Sequence, residues 1–263
     1  MEILVCAKRV PDTSENEIEI NSAGNDIERD DLVYSVNEWD NYAVEEALQI
    51  VGRVGGDVTV VTVGGEDDEE VLRREMAMGV KRGVLLSDDA FTGSDGAGIA
   101  TILKAFVQNG HYDLILTGVQ AADGCAQVGG MLAAMLDYPF ASLVNSIEEL
   151  DGTKLKVTRE VEGGDKEINE IDLPCVLSIQ TGINEPRYVG MRGIRQVASI
   201  PIPTLGAAGL GLAPTAAGAA AAKVKRTDYF MPVLGKGAEM LEGSGEEMAD
   251  KVIELMKAKG GLR

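Results

Sequence analysis

The chain has little of what most active sites are built from. It carries one histidine in 263 residues, His111, set between Gly110 and Tyr112 just ahead of an apolar run. That position suits a solvated loop better than a general base. No GxSxG, HExxH or Walker-type phosphate loop occurs, and the many carboxylates show no spacing that isolates an acid/base pair. The three cysteines, Cys6, Cys125 and Cys175, lie far apart without CxxC spacing. They argue against a disulfide framework or a zinc site and point to a reducing compartment, so a cytoplasmic protein is expected. Positive charge is short as well: 24 Lys and Arg stand against 43 Asp and Glu, a formal net charge of −19. Such a chain repels DNA, RNA and anionic lipid, so no nucleic-acid partner is expected, and any phosphate must be held locally. Long hydrophobic runs are missing too. The opening MEILVCAKRV meets Lys8 and Arg9 too soon for a signal peptide. Residues 205–222 are Ala and Gly with Pro214 inside, too weakly apolar for membrane insertion.

What is present reads as an α/β protein. Residues 3–7, 57–63, 83–86 and 113–117 are short β-rich apolar runs. Between and after them, helical spacing recurs: Trp39, Ala43, Ala47 and Ile50; the acidic start 66–70; Ile99, Ile102, Leu103 and Phe106; and residues 127–136. Strand and helix alternate four times, which predicts a Rossmann-like, mostly parallel sheet with helices on both faces. Asn37 suits the N-cap of the first helix, with Glu38 and Asp40 at its positive end. Ile18 and Ile20 suggest a small hairpin. Farther on, residues 154–161 and 167–173 flank Glu162-Gly163-Gly164-Asp165, a hairpin signal, and 176–179 is one more strand. A domain over 1–200 is therefore expected, followed by an arm and helix over 201–263. Within that arm, 205–222 reads as an extended linker with little to pack, and 246–259 as an amphipathic helix with Met248, Val252, Leu255 and Met256 on one face.

Ligands of such sheets gather beyond the carboxyl ends of the strands, which selects three segments. Thr117 to Gly129 leaves a strand and enters a helix with Gly118, Ala121, Gly124 and Ala126 among its small residues. Backbone N–H groups there suit a phosphate, though an ordinary connection capped by Asp123 has the same composition. Asp88 to Asp95 likewise follows a strand, and Ser94 or Asp95 suits a helix cap. Asn184-Glu185-Pro186-Arg187-Tyr188, leading to Met191, has the makeup of a docking segment or of a loop packing its own side chains.

Several segments, in order, are similar to the electron-transferring flavoprotein β-subunit (FixA) family. They are Leu4-Val5-Cys6-Ala7-Lys8-Arg9-Val10-Pro11-Asp12-Thr13, Val36-Asn37-Glu38-Trp39-Asp40 with Ala43-Val44-Glu45-Glu46-Ala47, and Ala77-Met78-Gly79. Gly118 through Gln127, Thr158-Arg159-Glu160-Val161-Glu162-Gly163-Gly164 and Asn184 through Tyr188 complete the set. Asn169 and Ser178 depart from the family's pattern.

The resemblance implies a heterodimer with an α subunit that carries FAD, the C-terminal arm of this chain embracing it. It also implies a nucleotide in this chain. Ala7, Asn37, Glu38, Trp39, Asp40 and Val63 would line its adenosine end. Gly118, Gln120, Ala121, Asp123, Gly124, Ala126, Gln127 and Val128 would cradle its phosphates. Phe91, Thr92, Gly93, Ser94 and Asp95 would meet a flavin ring. The Asp89 to Asp95 cluster and Pro11-Asp12-Thr13 resemble the electron-bifurcating branch, which implies FAD here and NADH as donor, oxidised only in complex with the α subunit. Ferredoxin or flavodoxin and an acyl-CoA-dehydrogenase-type partner would receive the electrons. The alternative is the housekeeping branch, with AMP at the same site held structurally. Tyr188 and Met191 would dock the partner dehydrogenase, and Arg159 would support the subunit interface or the α-flavin side.

Overall fold

A computed structural model describes every residue except 150, 151, 234, 236, 262 and 263. Strands β1 (Glu2–Cys6), β2 (Arg9–Pro11) and β3 (Tyr34–Val36) lead to helix α1 (Glu38–Val54). Then β4 (Asp57–Val63), α2 (Glu69–Met78), β5 (Arg82–Leu86), α3 (Gly96–Gln108), β6 (Leu114–Gly118) and α4 (Val128–Leu136) alternate. They are followed by β7 (Phe140–Glu149), β8 (Lys154–Glu160), β9 (Lys166–Asp172), β10 (Cys175–Ile179), α5 (Met191–Val197), β11 (Thr204–Leu205) and α6 (Gly245–Ala258).

Nine strands form one sheet in the order β11-β5-β4-β1-β6-β10-β7-β8-β9. The ladders from β11 to β7 are parallel, and β8 and β9 add an antiparallel meander. The expected hairpin of β8 and β9 forms, with Asn169 opposite Val157. Side chains alternate across the pleat. Ile3 and Val5 of β1 join one core with Ala43, Val44, Ala47 and Ile50 of α1 and Leu72 of α2. Leu4 joins the opposite core with Ile102 and Leu103 of α3 and Leu132 of α4. The sheet is thus covered on both faces, as parallel sheets require.

The small hairpin expected at Ile18 and Ile20 forms as one antiparallel bridge, Ile20 opposite Ile27, with Asn21 N–H donating to Asp26 O and Glu28 N–H to Glu19 O. A second antiparallel pair joins β2 to β3, Val10 opposite Ser35. Two local expectations are corrected. Asn37 stands at the N-cap of α1, but its side chain makes no capping bond. Residues 205–222 are not a linker with little to pack: Leu205 pairs with Leu86, and Ala207, Leu210 and Ala217 are buried in the second core. Small side chains let this segment lie close on the sheet edge.

The described residues form two compact units, Met1–Glu19 with Glu28–Thr227, and Ile20–Ile27 with Asp228–Arg263. In the second, Tyr229 N–H donates to Gly24 O and α6 starts on a capping box, Ser244 with Glu247. Val252, Leu255 and Met256 of α6 are exposed. Among the described residues no helix is long and apolar enough to cross a membrane.

Candidate functional site

The strand order reverses beside β1. The chain runs from β1 outward to β4 and β5, and then places β6 on the other side of β1. In such sheets the ligand crevice lies beyond the carboxyl ends of the strands at this point, here β1 and β6. One buried carboxylate braces both lips. Lys8 N–H donates to Asp40 Oδ2 at 2.8 Å, and Gly118 N–H donates to Asp40 Oδ1 at 3.0 Å. Asn37 ties the same segments: its N–H donates to Lys8 O (2.8 Å) and its Nδ2 to Gln120 O (2.8 Å). Lys8 Nζ pairs with Asp123 Oδ1 at 2.6 Å, and Arg226 Nη2 donates to Asp123 O at 2.8 Å. Trp39 Nε1 reaches Gln180 Oε1 at 3.1 Å, tying the start of α1 to the end of β10.

The electrostatics follow from burial. Desolvation pushes the Asp40 carboxyl up to about 7, against hydrogen bonds from Asn37, Lys8 and Gly118. The neighbouring Cys6 thiol is pushed up by burial and by Asp40, which keeps it protonated and unreactive.

The residues fit a nucleotide. A Cβ on Gly118 would meet Asp40 Oδ1 at 2.4 Å and Trp39 Cβ at 2.7 Å, so only glycine lets this backbone approach. Asn37 Oδ1 is buried with no hydrogen-bond partner, an acceptor suited to a donor from outside the chain. Residues 122–127 are exposed, Ala126 turns into α4 with φ +55°, and the Gln127 side chain makes no capping bond. The first-turn amides of α4 therefore open on an anion-compatible loop.

Ala7, Asn37, Trp39, Asp40, Gly118, Gln120 and Asp123 lie around this crevice, through the bonds above and the Ala7 N–H to Val61 O at 2.9 Å. Glu38 begins α1 at its rim, Val63 ends β4 one strand away, and Ala121, Gly124, Ala126, Gln127 and Val128 continue the loop into α4. The Phe91 to Asp95 segment follows β5, separated from β1 by β4. It still adjoins the loop, since a Cβ on Gly96 would meet Gln127 Oε1 at 2.9 Å.

Its polar groups already have partners. Asp95 Oδ1 caps α3 from Gly98 N–H (2.9 Å), while its Oδ2 accepts from Lys223 and Val224 N–H at 2.6 and 2.9 Å. Ser94 Oγ accepts from Gly218 N–H at 2.8 Å, Thr92 O accepts from Ala219 N–H at 2.9 Å, and Phe91 is buried in the second core. Gly93 packs against Ala219. Tyr188 and Met191 lie elsewhere, 93% and 66% exposed. Arg159 bonds to Glu167 and Ser142 at 3.4 Å.

Lys8 and Gln180 were not among the expected lining residues. The signal for both was position: each is the polar residue that follows a buried strand end. Ser178 hydrogen-bonds Thr117 inside the core at 2.9 Å and backs the close approach of Gly129, where a Cβ would meet Ser178 Oγ at 2.4 Å.

A doubly covered, mostly parallel sheet whose strand order reverses beside β1 defines the class, a Rossmann-like α/β protein. The comparisons give the family. The electron transfer flavoprotein domain matches residues 25–210, well over half of the chain. The chain is 37% identical over 260 residues to the electron transfer flavoprotein subunit beta of Methylophilus methylotrophus, covering 97% of this chain and 98% of that one. It is 36% identical over 263 residues to the caffeyl-CoA reductase-Etf complex subunit CarD of Acetobacterium woodii, covering 98% and 99%. Protein FixA of Azotobacter vinelandii is 36% identical over 195 residues, 72% of this chain and 68% of that one. This chain belongs to the electron transfer flavoprotein β-subunit family, an electron-transfer family whose β subunits imply an α partner.

Proposed function

We propose that this chain holds FAD at the β1/β6 crevice and, with its α subunit, takes electrons from NADH. They would pass on to ferredoxin or flavodoxin and to an acyl-CoA-dehydrogenase-type partner, in bifurcation or its reverse. The observation that carries the reading is Asp40 bracing the Lys8 and Gly118 amides, with the buried, unpartnered Oδ1 of Asn37, a residue that bonds Lys8 O and Gln120 O. Asn37, Trp39 and Asp40 would orient the adenosine end. The backbone from Gly118 to Val128 would take the phosphates, with Lys8 and Arg226, both bonded to Asp123, as nearby cations, and Phe91 to Asp95 would face the ring. Bound there, the flavin supplies the redox chemistry, and the protein supplies position and electrostatics. Similarity to CarD, a subunit of a caffeyl-CoA reductase–Etf complex, supports the bifurcating branch. The exposed apolar face of α6 would meet the α subunit. Tyr188 and Met191 would meet the dehydrogenase. The reducing-compartment argument from the cysteines supports a cytoplasmic setting.

One observation favours the second reading, AMP in this site and the only redox FAD in the α subunit. Thr92 O, Ser94 Oγ and Asp95 Oδ2 are already bonded to residues 218–224, so a flavin ring would compete with the chain itself. Cofactor released by denaturing the purified αβ complex decides between them. Two FAD per αβ is the expected result; one FAD with one AMP establishes the second reading instead.

A further inference from the structure

The segment that carries Tyr188 and Met191 is fastened at both ends and leaves those two side chains exposed between them. At its N-terminal end, helix α1 holds it. Arg187 Nε and Nη2 donate to Glu45 Oε2 and Oε1 at 2.7 and 3.0 Å, a two-pronged pair on a carboxylate that is only 5% exposed. Arg187 N–H adds a bond to the same Oε2 at 3.2 Å, and Nη1 reaches Met78 O at 3.2 Å. One turn along the contact, Asn184 Nδ2 donates to Glu46 Oε2 (3.0 Å) and Tyr42 O (3.1 Å). Burial pushes the Glu45 carboxyl up, but the hydrogen bonds from Arg187 and Gln49 outweigh it and keep it below its usual range.

At the C-terminal end, helix α2 holds it. Arg73 Nη1 donates to Val197 O, the last residue of α5, and to Ile200 O just beyond it, while Glu69 Oε1 fixes the guanidinium from one turn away. Between the fasteners, Gly193 lies against α2, where a Cβ would meet Ala77 O at 3.2 Å. Side chains on the outer surface, Tyr188, Met191 and Ile194, are left exposed.

We infer that Glu45 and Arg73 are positioning residues that hold residues 184–200 in the conformation that receives the partner dehydrogenase. Neither bonds to a residue around the crevice: Glu45 holds Arg187 and Gln49, and Arg73 holds Glu69, Val197 and Ile200. A seven-residue helix with an exposed apolar side is too short to hold its shape unaided. Fixing it before encounter removes an ordering cost from association, which is where pre-organisation gains affinity. The same helix α1 that opens at Asp40 over the crevice thus presents its middle to the docking segment. This inference rests on the reading of Tyr188 and Met191 as docking residues.

The test uses the purified αβ complex with an acyl-CoA dehydrogenase as electron partner, reduced by its acyl-CoA substrate. Glu45→Gln keeps shape but loses the charge-assisted pair, and Arg73→Gln releases both carbonyls. Each is expected to raise KM for the dehydrogenase by about tenfold, the weight of roughly one such bond, with kcat and bound cofactor unchanged. Arg187→Lys, which keeps charge but not the fork, should fall between. Hydrogen exchange should quicken in residues 184–200 and nowhere else. Met191→Ala separates the two ideas. If Met191→Ala raises KM while Glu45→Gln, Arg187→Lys and Arg73→Gln leave it unchanged, the positioning inference is overturned and docking stands. If Met191→Ala also has no effect, the docking reading itself fails. Should Glu45→Gln not fold, Arg187→Lys and Arg73→Gln, both on partly exposed side chains, carry the same comparison.

Discussion

Two carboxyl groups in this chain share deep burial and differ in what surrounds them. Asp40 receives two backbone N–H groups, whereas Glu75 of α2 is 0% exposed and neither of its oxygens has a hydrogen-bond partner among the described residues. Burial first, and the nearby Asp40 second, raise the Glu75 pKa well above 4.5, with Arg74 opposing. The unfolded chain releases this proton near pH 4.5, while the folded chain keeps it to higher pH. Between those values the folded state binds more protons, so stability falls as pH rises across the window. Asp40 acts in the same sense, between its ordinary 3.8 and about 7. Glu75→Gln keeps the shape and removes the titration. Its αβ complex is expected to melt a few degrees higher than wild type at pH 8 and at nearly the same temperature near pH 4.5. The residual decline should come from the other carboxyls that burial raises, Asp40, Glu46 and Asp68, with the Asp40 share ending near pH 7. Melting curves across pH check this, and a wild-type slope in the variant would remove Glu75 as its source.

At the scale of elements, residues 205–222 show how composition misleads. An Ala/Gly run has little apolar area per residue, and by that measure it is a linker. The structure uses it because its residues are small. Gly218 has φ +75°, and a Cβ there would meet Ala90 O at 2.3 Å, so the backbone lies directly on the turn after β5. Asp88 Oδ2 takes Ala207 N–H at 2.8 Å, and Ser94 and Asp95 take the amides farther along. Gly218→Val is therefore expected to lift the segment, making residues 206–224 newly sensitive to limited proteolysis and destabilising the fold by about 2 kcal/mol or more. An unchanged digestion pattern would show that the contact contributes little. The elements that were legible had regular periods: the four βα units, the β8–β9 hairpin with its Gly163-Gly164 turn, and α6 with its capping box. The start of α3 was legible because Asp95 is a local signal, read by Gly98 three residues on. Long-range partners leave no such trace. Nothing in Asn37 itself announces Gln120, nor Glu45 announces Arg187, since each bond depends on how distant strands order in the sheet. For the crevice, the end of β6 marked Gly118 and the family resemblance marked Asp40, but the bond between them needed the fold.

For the molecule as a whole, the two exposed apolar features answer different needs. Helix α6 is well made locally, with Ser244 and Glu247 satisfying its first turn and Lys257 at its last. Yet Val252, Leu255 and Met256 stay 43–44% exposed on one side. Good ends with an unpaired apolar side describe a helix shaped for another surface rather than for its own core. With a net charge of −19, apolar contact here also spares the chain from relying on charge attraction to assemble. Leu255→Glu keeps helix propensity, so circular dichroism should not change. It places a charge where the α subunit is proposed to sit, and co-purification with α should weaken by about tenfold or more. Met191→Ala, in a segment fastened to α1 and α2 instead, should leave that assembly intact while impairing transfer to the dehydrogenase. If Leu255→Glu left assembly untouched, the arm would not be what grips the α subunit, and the contact would have to be sought on the sheet, beginning with the Arg159 strand.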